Sequence, residues 1–134
     1  MRAAVLAAVV FGIVLPAHAE STYDGSKPMK CAIQTVMVCD DPSVCVRGTA
    51  QTVSMPSVVV VDVGQRLISG EASGRTAEIT STGQAAGKLM LAGRDVQTLG
   101  KMWGLVIEQK TGAMSGAVLS HGGGYLMFGA CTAP

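Results

Sequence analysis

Residues 102–131 read MWGLVIEQKTGAMSGAVLSHGGGYLMFGAC, and their punctuation decides the fold. Trp103, Leu105 and Ile107 recur at every second position, so an extended chain places them on one face. Gln109-Lys110-Thr111-Gly112 then makes a turn, with Gly112 at a left-handed position that a side chain would resist. Residues 113–120 return, His121-Gly122-Gly123-Gly124 turns again, and residues 125–131 put Tyr125, Met127 and Cys131 on one face. Three extended segments joined by two short turns make an antiparallel meander.

The same grammar continues upstream. Residues 29–39 alternate, with Cys31, Ile33, Thr35, Met37 and Cys39 on one face and Ala32, Gln34, Val36 and Val38 on the other. Residues 45–53 make a weaker strand. Residues 58–63 are a β-branched run suited to burial on both faces. Residues 65–72 and 75–82 flank a hairpin-like turn at Ser73-Gly74, and residues 88–94 alternate around Leu89 and Leu91. Beyond residue 19, no window sustains the i, i+3, i+4, i+7 stripe of an amphipathic helix. The expectation is an all-β domain, an antiparallel meander of about eight strands, forming a small closed or partly open barrel or, alternatively, a β-sandwich. Closure removes the edges at which open sheets aggregate.

Ahead of these strands, Arg2, the apolar run 3–15, Pro16 and Ala17-His18-Ala19 have the order of a signal peptide with an A-x-A cleavage site. The expected organisation is a leader over 1–19, a flexible polar lead-in over 20–28 and a single disulfide-tied β domain over 29–134. The leader's apolar run is too short to span a bilayer, and no apolar run long enough for a transmembrane helix follows it. Residues 20–134 carry nine basic and nine acidic side chains with neither sign in blocks. That balance argues against a nucleic-acid or anionic-membrane surface.

Export bears on the four cysteines, because thiols in an oxidising compartment normally pair. No C-x-x-C motif is present, and His121 is the one histidine after residue 19 and lies far from Cys31, Cys39 and Cys45. Zinc, haem and redox sites are therefore disfavoured against two structural disulfides. A continuous strand over 31–39 holds its ends about 26 Å apart at about 3.3 Å per residue, which excludes Cys31–Cys39. Two connectivities remain. Cys39–Cys45 with Cys31–Cys131 is preferred over Cys31–Cys45 with Cys39–Cys131, since the short loop is the cheaper one to close.

No set of side chains converges on a reaction. Ser120 and His121 are adjacent and so point to opposite sides of a strand, a poor nucleophile–base pair. Asp40-Asp41-Pro42 reads as a turn. Glu71 and Glu78 flank the Ser73-Gly74 turn, but nothing in the sequence supplies a cleft between them. The methionines are spread along the strands rather than clustered for Cu(I), as flexible core filler is. The expectation is a non-enzyme with no metal and no cofactor, whose candidate binding loops are Ser73-Gly74-Arg75 and His121-Gly122-Gly123.

The run 102–131, with CDDPSVCVRG at 39–48, resembles a group of small exported bacterial proteins of uncharacterised function. That resemblance implies a bacterial periplasmic or secreted protein and carries no catalytic residue across. Ser73-Gly74-Arg75 is also similar to the Ser-Gly inhibitory loop of the small periplasmic lysozyme-inhibitor barrels, although Thr76 and Ala77 replace the aromatic residue expected after it. The expected role is a binding or structural module of the cell envelope that engages a small ligand, an envelope component or a protein. The alternative is an inhibitor of a cell-wall hydrolase.

Overall fold

The computed structural model describes residues 13, 22–96 and 100–133. The signal peptide expected over 1–19 thus lies outside the described residues, Ile13 aside. Nine strands follow in order: β1 (Met29–Asp41), β2 (Val44–Gly48), β3 (Val58–Asp62), β4 (Leu67–Gly70), β5 (Thr76–Ala85), β6 (Lys88–Asp95), β7 (Met102–Glu108), β8 (Ala113–Ser120) and β9 (Gly123–Thr132). A short 3₁₀ turn, Gln51–Val53, occupies the second half of the weak strand expected over 45–53.

Every pairing is antiparallel. From β3 to β9 each strand pairs with the next, while β1 pairs with β3 on one edge and β9 on the other. Eight strands therefore close into a barrel, and β2 is an additional strand in a hairpin with the second half of β1. The barrel form is realised and the sandwich is not.

Alternation along the strands builds the core. Val36, Val61, Ile79, Leu89 and Ile107 are fully buried, with Trp103, Leu105, Met114 and Met127 close behind. The run at 58–63 is not buried on both faces: Val59 and Val61 point inward while Val58 and Val60 are half-buried. Barrel strands have one inside and one outside, so alternation persists even where the sequence does not show it. Outside, cross-strand ion pairs join Lys88 to Glu108 and Arg94 to Glu78, and Lys30 of β1 pairs with Glu71 just beyond β4. Large apolar side chains also remain outside on β6–β9, among them Met90, Met102, Leu119 and Phe128. Met90 and Met102 are therefore not the core filler that sequence spacing suggested.

Two bulges bend the sheet into a small barrel. In β1, Ile33 pairs with Gly129 but Thr35 pairs with Phe128, leaving Gln34 as the extra residue. The strand is thus not one uninterrupted alternation. Cys31 and Ile33 face the core before the bulge and Val36 after it, so Thr35 and Met37 lose the inward face expected for them. In β5, Ile79 pairs with Gly93 but Ser81 pairs with Ala92, making Thr80 the extra residue. The Arg66 guanidinium stabilises that bulge, Nε donating to the Ile79 carbonyl (3.0 Å) and Nη2 to the Thr80 carbonyl (2.7 Å). A glycine stands opposite each bulge. A Cβ on Gly129 would lie 2.0 Å from the Ala32 carbonyl oxygen, and one on Gly93 would lie 1.9 Å from the Glu78 carbonyl oxygen.

The two ends of the barrel differ. Residues 22–28, expected as a flexible lead-in, lie across one end. The Tyr23 N–H donates to the Gln109 carbonyl (3.2 Å), and Gln84 Nε2 donates to the Asp24 carbonyl (2.9 Å). Gly25 sits against Val63 and Leu89. The buried Gln109 is satisfied there, its Nε2 donating to Gln84 Oε1 at 3.0 Å. The Ser26 N–H donates to Asp24 Oδ1 (2.8 Å), and the Ser26 hydrogen bonds hold that exposed carboxyl below its ordinary range.

Candidate functional site

The opposite end is where loops gather. Residues 49–57, residues 71–75, the ends of β6 and β7 near Asp95 and Lys101, and the β8–β9 turn all lie there, because each joins or ends strands at their ends farthest from the lead-in. A cavity of about 110 Å³ opens at this end. Its floor is apolar barrel interior, including Ile33, Leu105, Met114 and Met127. Its mouth is formed by Met55, Pro56, Arg75, Asp95, Lys101 and Tyr125.

The polar groups at the mouth hold one another unevenly. Arg75 turns back onto the barrel: Nη2 reaches Asp95 Oδ2 at 3.3 Å, and Nη1 donates to the Ser54 carbonyl. Ser54 is itself left-handed at the end of the 3₁₀ turn. The Asp95 N–H donates to the Lys101 carbonyl (3.4 Å), tying the two ends of the β6–β7 connection. Tyr125 O–H donates to Met55 Sδ at 3.2 Å, a weak acceptor. Burial pushes the Tyr125 phenol above its ordinary range. Arg75 lowers it and Asp95 raises it by smaller amounts. Trp103, another wall residue, is buried, and its indole Nε1 has no hydrogen-bond partner among the described residues.

Both sequence-derived loops sit at this end, but only one touches the cavity. Arg75 lines it, with Ser73 Oγ accepting from the Arg75 N–H (3.3 Å) to shape the turn and Gly74 left-handed at φ 65°. His121 is exposed in the β8–β9 turn, with Gly122 left-handed at φ 79° and Gly123 already in β9, and none of the three lines the cavity. Glu71 and Glu78 do not converge, since each is ion-paired outside the barrel. Among the described residues no group of three or more His, Cys, Asp or Glu side chains is placed to hold a metal ion. Asp95, Lys101 and Met55 carried no local signal in the sequence, because only closure of the barrel brings the loops holding them together. Trp103 was legible as core by its parity with Leu105 and Ile107, but its orphaned N–H was not.

The cysteines are joined as Cys31–Cys131 and Cys39–Cys45. The first bridge links residues directly opposite each other on β1 and β9, inside the core. The second lies across the β1–β2 hairpin at the cavity end. Among the described residues no helix is long and apolar enough to cross a membrane. Scanned against protein-family models, curated proteins and solved structures, the chain matches none of them significantly.

Proposed function

We propose that this protein is a non-enzymatic, exported binding barrel that receives a small apolar group in the open end of its interior. The observation that carries this reading is the difference between the two ends. One is closed by residues 22–28 with satisfied hydrogen bonds, while the other holds an apolar cavity ringed by a few polar groups, the usual make-up of a ligand site. Its size limits what enters. At about 110 Å³ it is smaller than the ~150 Å³ cavity that admits benzene, so it encloses a few heavy atoms and the rest of a longer molecule stands in the mouth. The two disulfides accord with export to an oxidising compartment, the periplasm or beyond. The carboxylate in the wall, Asp95, is held by Arg75, and the exposed His121 does not line the cavity, so the geometry favours binding over turnover.

The alternative, an inhibitor that inserts residues 72–76 into a cell-wall hydrolase, has less support. Arg75 would have to project, and here it folds back onto Ser54 and Asp95.

The test uses the chain's single tryptophan, which is in the cavity wall. Titration with n-alkanols of increasing length should shift Trp103 fluorescence. Affinity should rise about fourfold per CH₂, from about 0.8 kcal/mol each, and then level off once the cavity is full. Ala77→Leu, which fills the wall, should abolish the shift without unfolding the barrel. Absence of any response across the series would end the reading.

A further inference from the structure

The cavity mouth carries more donor capacity than the protein uses. Tyr125 O–H spends its proton on a thioether. Lys101 at the mouth has no ion-pair partner among the described residues, and its positive charge adds to that of Arg75 against the single carboxylate of Asp95. A hydroxyl matched only to a thioether gains when a stronger acceptor arrives, and a charged acceptor gains most.

We infer that the ligand is an anionic amphiphile, a monocarboxylate with a short alkyl chain. Its chain tip fills the cavity, and its carboxylate accepts a hydrogen bond at the rim from Tyr125 under the field of Lys101. This inference rests on the binding reading above and adds the headgroup. A cationic amphiphile meets Lys101 at the entrance, and a neutral one leaves its charge uncompensated. Asp95 does not oppose the anion strongly, because its charge is matched by Arg75 at 3.3 Å.

Three probes of equal chain length separate the headgroup from the cavity: octanoate, octanol and octyltrimethylammonium, each followed by isothermal calorimetry. Octanoate should bind at least about tenfold tighter than octanol, and octyltrimethylammonium weakest. Lys101→Gln and Tyr125→Phe should each weaken octanoate several-fold and weaken octanol by clearly less. Equal affinity for octanoate and octanol, or tighter binding of the cation, would overturn the anionic assignment while leaving the apolar cavity in place. Binding of none of the three would remove the binding reading itself.

Discussion

Glycine at position 93 shows how single residues limit this barrel. The β5 bulge drives the Glu78 carbonyl toward β6, and Trp103 closes the space from the other side, its Cζ2 lying 2.6 Å from where a Cβ would stand. Neither backbone nor a buried indole yields easily, so Gly93→Ala should destabilise by about 3 kcal/mol in urea denaturation. Gly83→Ala is the matched control: its Cβ would meet only Met90 Cε at 3.5 Å, and stability should stay within about 0.5 kcal/mol. Tyr125 offers a second check at this scale. Its phenol is held above the ordinary value of 10.0 chiefly by burial, so the folded state resists forming the phenolate. A neutral acid with a raised folded pKa contributes stability that is whole below its unfolded pKa and is lost as pH rises through the folded one. Tyrosinate absorbance should therefore show one tyrosine titrating late, and Tyr125→Phe should remove that phase. Survival of that phase in the variant would contradict the burial described here.

Among the elements, the lead-in and β1 depart furthest from their sequence reading. ESTYDGSKP, at 20–28, is polar, and polar ends of chains are commonly loose. Yet Tyr23 and Asp24 contribute backbone hydrogen bonds to Gln109 and Gln84, and Gly25 packs on Val63 and Leu89, all partners far along the chain. Deleting residues 20–26 should uncover Leu89 and the Gln84–Gln109 pair. Amide exchange at Gln109 should speed up and the barrel should lose about 1–3 kcal/mol, with the cavity end unaffected. Unchanged exchange at Gln109 would show that the lead-in closes nothing. In β1, the extra Gln34 exchanges the faces halfway along the strand. Strict alternation over 29–39 was a fair reading of composition, but a strand that closes a small barrel must bend, and the bend consumes a residue.

For the molecule as a whole, the two bridges act on very different lengths of chain. Cys31–Cys131 spans a separation of 100 residues and Cys39–Cys45 a separation of 6. In the chain-entropy description the long bridge is worth about 4–5 kcal/mol and the short one about 2. Replacing Cys31 and Cys131 together by Ala should lower the Tm well below that of the Cys39→Ala, Cys45→Ala pair. Access runs in the opposite order. Cys31 and Cys131 are in the core while Cys45 is exposed, so mild reductant on the folded protein should release Cys39 and Cys45 first, as read by thiol labelling. Prior labelling of Cys131 would mean that the β1–β9 seam opens more readily than the hairpin.

What the sequence determined by itself was whatever depends on neighbours along the chain. Alternation around Trp103 and Leu89 marked the strands, Gly112 marked a left-handed turn that has φ 76°, and the spacing of Cys39 and Cys45 marked a closable loop. Closure of the barrel, the extra residues at Gln34 and Thr80, and the meeting of Arg75, Asp95, Lys101 and Tyr125 at one rim were decided only in three dimensions. The physical reason is that a strand's period is local, whereas its register and curvature are set by the partner strands it must reach. The last and longest-range pairing, β1 with β9, is the one that creates an inside and, with it, a cavity.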